Sequence, residues 1–320
     1  MSLMEFELIA RFFTRPTQRF DVVQGVGDDC ALLQVPAGME LAVTMDTLVE
    51  GVHFPKDTDP YAIGWKVLAV SLSDLAAMGA APAWATLALT LPEAEEAWLR
   101  DFSRGLFELA DQYDLALVGG DTTRGPLSIT LQAHGFVPSG RALRRSGARP
   151  GDLVYVTGTL GDAAVGLALR QGRWEGPVAA TDRDYLVGRL DRPQPRVAAG
   201  LALRGIASAA IDLSDGLVAD LGHILGASKV GATIHLQYLP RSSALKGLTV
   251  PWEKVVGGGD DYELCITIPP TQQEWLRRIQ ATAGCDFTLI GEIGLSPGIV
   301  WMDAKGRTVN IRATGFRHFP

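Results

Sequence analysis

Leu115-Ala116-Leu117-Val118-Gly119-Gly120-Asp121-Thr122-Thr123 reads as an apolar strand that runs into two glycines and presents an aspartate. Before it, Trp84 to Leu91 predicts another strand and Glu93 to Tyr113 a helix with a charged outer face. Strand, helix, strand and a glycine turn is the order in which α/β proteins hold phosphorylated ligands at strand ends. The fold class expected is therefore α/β, grading into α+β where strands follow one another without helices.

Four further acidic motifs share the character of this turn. They are Gly27-Asp28-Asp29, Met45-Asp46-Thr47, Leu72-Ser73-Asp74-Leu75 and Asp212-Leu213-Ser214-Asp215-Gly216. Asp46 ends a strand in which Leu41, Val43 and Met45 alternate with Ala42 and Thr44. Asp74 lies in a long apolar helix spanning 62–78, where an aspartate costs several kcal/mol unless a cation or donors compensate. A helix cap explains one of Ser214 and Asp215 but not Asp212 two residues earlier. Val256-Gly257-Gly258-Gly259-Asp260-Asp261-Tyr262-Glu263-Leu264 repeats the theme of glycines followed by acids.

Of the 36 acidic residues, 23 are aspartate, the shorter acid that favours caps and turns. Aspartates at strand ends without paired His or Cys specify a hard cation with oxygen ligands, Mg²⁺ or Mn²⁺. Mg²⁺ takes only one or two carboxylates besides substrate phosphates, so five motifs imply several ions and a polyphosphate partner. Competing chemistries are excluded on specific grounds. No Gly-Lys dipeptide exists for a Walker A loop, HExxH is absent, and the GxSxG string at Gly294 to Gly298 carries Pro297, which has no N–H to give an oxyanion.

With 320 residues the chain is long enough for two domains, and a boundary is expected in the Gly-, Pro- and Arg-rich segment after 137, giving domains 1–137 and 138–320. A net charge of −7 argues against a nucleic-acid surface. The cluster Arg141, Arg144, Arg145 and Arg149 suits one small anion. Three cysteines form no CxxC pair, and Glu5 and Glu7 stand where a signal peptide would be basic. The richest apolar run is broken by Asp74 and Pro82. A cytoplasmic protein without a membrane span is expected.

In order along the chain, Gly-Asp-Asp-Cys-Ala, Met-Asp-Thr-Leu-Val-Glu-Gly-Val-His-Phe, Ser-Asp-Leu-Ala-Ala-Met-Gly, Gly-Gly-Asp-Thr-Thr, Asp-Leu-Ser-Asp-Gly-Leu and Gly-Asp-Asp-Tyr-Glu-Leu together resemble the bacterial thiamine-monophosphate kinases. These belong to the aminoimidazole-ribonucleotide-synthetase superfamily of ATP-binding enzymes. The resemblance runs from about Glu5 to Phe319. It implies a two-domain fold of mixed sheets and helices, a homodimer formed by the N-terminal domains, and direct transfer of the γ-phosphoryl of ATP to thiamine monophosphate.

Carried over position by position, the resemblance implies Asp29, Asp46, Asp74, Asp121, Asp212 and Asp215 as Mg²⁺ ligands, with Thr44 and the Met45 carbonyl assisting. It implies Gly120, Arg145 and Ser214 as ATP contacts, Gly120 being small to admit the nucleotide. His53, Asp260 and Phe316 would meet the thiamine substrate. No covalent nucleophile or general base is expected. The family usually has Glu where this chain has Asp260, so a water, Asp261 or Glu263 is expected to make up the missing reach. Alternatives are another ATP-using enzyme of the superfamily and a non-catalytic nucleotide sensor.

Overall fold

The computed structural model describes residues 5–316 and residue 318. It falls into two compact units, one running to Leu75 and resuming over Ala80–Gly140, the other made of Ala76–Gly79 and the described residues from Arg141 onward.

In chain order the first unit holds α1 (Glu5–Phe12), β1 (Val22–Gln24), β2 (Leu32–Leu33), β3 (Met39–Val49), α2 (Pro60–Ala77), β4 (Ala81–Leu91), α3 (Glu96–Gln112), β5 (Ala116–Arg124) and β6 (Ser128–Pro138). Four strands form one sheet in the order β3-β6-β4-β5, with β4 and β5 parallel and the other pairs antiparallel. The parallel pair needs a crossover, which α3 supplies.

Helices α2 and α3 pack so closely that a Cβ on Gly64 would lie 2.0 Å from the Phe102 carbonyl oxygen, and one on Gly105 1.9 Å from that of Tyr61. The sheet's other side is covered in part by Val22, Ala31 and Leu33 of the β1–β2 region, which pack against Trp84, Val118 and Phe136. A buried polar tie holds that cover in place, because Asp21 accepts from the Trp84 indole at 3.0 Å and from Arg19 at 2.6 and 2.9 Å. Burial pushes the Asp21 carboxyl up, but these donors outweigh it and hold it below its ordinary value.

The glycines of the opening stretch do not end a strand. β5 continues through them to Arg124, and the irregularity predicted as a turn is a bulge opposite Ala85 and Thr86. Gly120 is small for a reason internal to the sheet: an added Cβ would meet the Leu87 carbonyl oxygen at 2.0 Å.

In the second unit follow β7 (Leu153–Thr157), α4 (Asp162–Arg170), α5 (Ala180–Asp191), α6 (Val197–Leu203), β8 (Ala209–Asp212), α7 (Leu217–Ser228), β9 (Gly231–His235), α8 (Ser243–Lys246), α9 (Trp252–Gly257), β10 (Leu264–Ile268), α10 (Gln273–Ala283), β11 (Phe287–Gly294), β12 (Gly298–Met302) and β13 (Thr308–Val309). Seven strands lie in the order β13-β12-β9-β11-β7-β10-β8. All pairs are antiparallel except β12 with β9. The core joins Val154 and Val156 of β7, Ile211 of β8, Leu221 and Ile224 of α7 and Ile290 of β11. The GxSxG string links β11 to β12, strand to strand, so it lacks the strand-to-helix setting of a nucleophile elbow.

Candidate functional site

The bulge in β5 decides which way Asp121 faces. Strand side chains alternate between faces, and paired residues share one. Trp84 pairs with Ala116, but two residues later Thr86 pairs with Gly119, and Ala88 with Asp121. One extra residue has entered β5, so Asp121 shares the Trp84 face, the side covered by the β1–β2 region. There a cavity of about 840 Å³ is lined by Asp28, Asp29, Cys30, Gly120 and Asp121, with Phe13 among its apolar walls. The structure thus gathers two of the predicted ligands, Asp29 and Asp121, at one opening. Asp28 is engaged by its own loop: it accepts from the Asp29 N–H at 2.8 Å and from the Gln24 amide, which hold its carboxyl below the ordinary range.

The opposite, helix-packed face carries a second pair. β3 turns Thr44 and Asp46 inward toward α2 while Leu41, Val43 and Met45 stay exposed, the inverse of an ordinary half-buried strand. Thr44 donates to Asp74, and Ser71 Oγ donates to Asp46 at 2.9 Å. Burial and then the neighbouring Asp74 charge raise the Asp46 carboxyl to about 6, against the opposing Ser71 bond. Among the described residues no three of His, Cys, Asp or Glu stand together as a ready-made metal cluster.

The Asp46–Asp74 pair fits Mg²⁺ on the chemistry of its donors. All are hard oxygens, and two like charges in partial burial are relieved by a divalent cation. The sign for stability follows from the raised carboxyl. Below the unfolded value near 4 Asp46 is protonated in both states and costs nothing; as pH rises through about 6 its ionisation opposes folding, fully so above that. Without divalent cations, Asp46→Asn is expected to be more stable than the parent at pH 8 by about 1–2 kcal/mol and no more stable at pH 4, measured by urea unfolding. Saturating Mg²⁺ should narrow the difference at pH 8.

His53 follows β3. Its Nδ1 accepts from the Val49 N–H at 2.9 Å, which leaves the proton on Nε2.

In the second unit three segments are knitted by backbone bonds. The Asp260 N–H donates to the Ser214 carbonyl at 2.9 Å, the Tyr262 N–H to that of Leu213 at 2.8 Å, and the Phe316 N–H to that of Asp215 at 3.1 Å. Asp212, Ser214, Asp215, Asp260 and Phe316 are therefore brought into one neighbourhood. Asp260 and Tyr262 adopt left-handed backbone, with φ of 68° and 49°. Such a conformation persists where the surroundings impose it. Phe316 is half exposed and stacks edge-on against His318 at 4.9 Å, so it is not a core residue.

The two acids beside those strained positions, Asp261 between them and Glu263 just after, are committed elsewhere. Glu263 is fully buried, gripped by Arg196 at 2.5 and 2.6 Å, by Arg189 at 2.8 Å and by Thr157 at 2.7 Å. Asp261 accepts from the Gly161 N–H at 2.9 Å, and burial pushes its carboxyl well up despite that bond. The expectation from sequence that Asp261 or Glu263 makes up the missing reach at 260 meets two carboxylates already bonded to other partners. Asp261 and Glu263 anchor the strained segment, and Asp260 alone of the three acids is partly exposed.

The cap of α7 is also not where the sequence placed it. Neither Ser214 nor Asp215 caps the helix, whose N-cap is Gly216. Asp220, one turn inside, reaches back to accept from the Asp215 and Gly216 N–H groups at 3.1 and 3.0 Å. Burial, then the Asp215 charge, raise its carboxyl to about 7, while Arg145 pulls the other way. Asp220 was missed by the sequence reading; an acid four residues after a glycine N-cap was the available signal.

Comparison with known proteins agrees with this architecture. The AIR synthase related protein N-terminal domain matches residues 27–137, and the C-terminal domain of the same description matches residues 149–301. The thiamine-monophosphate kinase of Escherichia coli O157:H7 is 53% identical over 323 residues, covering 100% of this chain and 99% of that protein. The crystal structure of thiamine-monophosphate kinase from Stenotrophomonas maltophilia K279a superposes with a TM-score of 0.87 at 50% identity, over 97% of this chain and 99% of that one. A structure of AaThiL complexed with AMPPCP and TMP gives a TM-score of 0.78 at 33% identity, over 92% of each chain. With both domain matches in order and half its residues shared end to end, the chain belongs to the AIR synthase related family and, within it, to the thiamine-monophosphate kinases.

Proposed function

We propose that this chain phosphorylates thiamine monophosphate to thiamine diphosphate by direct in-line transfer of the γ-phosphoryl of ATP, with several Mg²⁺ ions. The observation that carries the reading is the convergence of Asp29 and Asp121 on an open cavity of nucleotide size. Full-length similarity to thiamine-monophosphate kinases names the substrate. Asp29, Asp46, Asp74, Asp121, Asp212 and Asp215 are the ligands proposed for Mg²⁺, helped by Thr44 and the Met45 carbonyl. Gly120, Arg145 and Ser214 are proposed to meet ATP, and His53, Asp260 and Phe316 the thiamine substrate. Residues 1–137 would then bind metal and nucleotide, and 138–320 would complete the nucleotide and substrate contacts.

The acceptor is a phosphate monoester with a second pKa of about 6, so it arrives ionised and needs no base. Bound Mg²⁺ would supply the charge that offsets repulsion between donor and acceptor phosphates. The protein's part is to hold carboxylates at fixed places, which the buried anchors Asp261 and Glu263 and the reach-back of Asp220 do for the second unit. His53, whose Nδ1 accepts the Val49 N–H, is proposed to meet the substrate through its other ring nitrogen.

A homodimer through the first unit is supported by β3, an edge strand with Leu41 41%, Val43 52% and Met45 63% exposed. Three free cysteines fit a reducing cytoplasm. No helix among the described residues is long and apolar enough to cross a membrane. Incubation with ATP, Mg²⁺ and thiamine monophosphate is expected to yield thiamine diphosphate and ADP in equal amounts by chromatography. No thiamine diphosphate at any Mg²⁺ concentration would reject the reading.

A further inference from the structure

Ser228 closes α7 at the end opposite the Asp215 loop. Its hydroxyl collects three backbone groups from four consecutive residues: it accepts the Gly147 and Ala148 N–H groups at 3.1 and 3.2 Å and donates to the Arg145 carbonyl at 3.4 Å. On either side the Ala210 N–H donates to the Arg144 carbonyl at 2.9 Å, and the Arg149 N–H to Asp152 at 2.9 Å. Gly147 sits at φ +127° with the Ser208 carbonyl oxygen 2.3 Å from where a Cβ would be. The backbone of this segment is thus pinned throughout. Its arginine side chains are not: Arg144, Arg145 and Arg149 are exposed, and among the described residues none of them forms an ion pair. The Arg145 charge acts to lower the Asp220 carboxyl against its burial.

A fixed backbone under an unpaired, exposed guanidinium is preorganisation for an anion, because ordering done on folding need not be repeated on binding. We infer that Ser228 is a positioning residue for the nucleotide, its hydroxyl holding residues 145–148 so that Arg145 is presented to the polyphosphate in one orientation. The inference rests on the proposal that Arg145 contacts ATP. Ser228 lies far along the helix from the acidic motifs, and nothing in those motifs points to it.

The test is a double-mutant cycle on the full chain, with Ser228→Ala, Arg145→Gln and the pair, each assayed by steady-state kinetics and thermal melting. Loss of one neutral, partly exposed hydroxyl is expected to raise KM for ATP about fivefold, with kcat and KM for thiamine monophosphate within about twofold and the melting temperature close to the parent's. In the Arg145→Gln background Ser228→Ala should add nothing, since its effect runs through Arg145. Ser228→Thr, which keeps the hydroxyl, should retain the parental KM. An equal rise in both KM values, the same loss with and without Arg145, or equal losses for Ala and Thr would overturn the inference. If Arg145→Gln itself leaves KM for ATP unchanged, the assignment of Arg145 fails and the clamp falls with it. If Arg145→Gln is impaired and Ser228→Ala is not, the clamp alone is wrong.

Discussion

Asp121→Asn is expected to lower kcat by at least about a thousandfold while leaving the fold intact, a loss in the range seen when one charge-stabilising group is removed from a transfer site. The substitution keeps volume and shape. Asp121 is exposed at the cavity, so its side chain is not part of the packing that holds β5. Removing one of several carboxylates near Asp28 and Asp29 should leave the unfolding midpoint unchanged or slightly higher. Far-ultraviolet circular dichroism and thermal melting separate the two effects from the activity assay. Near-parental turnover in a folded Asp121→Asn protein would remove Asp121 from the metal site.

Glu263→Ala is expected to do the reverse, destabilising the second unit by about 3–5 kcal/mol, because it strands two partly buried arginines around an empty carboxylate position. Arg196 and Arg189 both end on Glu263, as does the Thr157 hydroxyl, whose oxygen in turn accepts the Leu264 N–H at 2.7 Å. The strained Asp260 and Tyr262 lie just upstream and lose the anchor that opposes their strain. Denaturant unfolding at pH 7 measures the loss. A change below about 1 kcal/mol would mean that the ion network contributes specificity of geometry and little else.

Much of the architecture is legible in the sequence where periodicity is strong. The reading of Leu217 to Ser228 as a helix agrees with α7 end for end, and Leu153 to Thr157 with β7, because in both the apolar pattern stops on glycine or polar residues. The acidic motifs were legible as chemistry because aspartates recur beside glycines. Three things were not. The bulge in β5 leaves no compositional trace, since Gly-Gly reads equally well as a turn. The outward face of β3 looks like a core face, because alternation reports two unlike sides without saying which one meets solvent. The divided roles of Asp260, Asp261 and Glu263 depend on Arg189 and Arg196 in distant parts of the chain, which no local pattern reveals.

The bulge also bears on how this chain can vary. Deleting the one extra residue between Leu117 and Gly119 would remove the bulge yet leave Asp121 opposite Ala88, on the cavity side, because the pairing beyond the bulge is unchanged. A plain strand of the present length would instead set Asp121 opposite Leu89, turned to the helix-packed side, with Thr122 in its place. Strand length and bulge are therefore linked: a one-codon deletion confined to the extra residue should cost turnover far less than losing the carboxylate, whereas any change that irons out the bulge at constant length turns the carboxylate away.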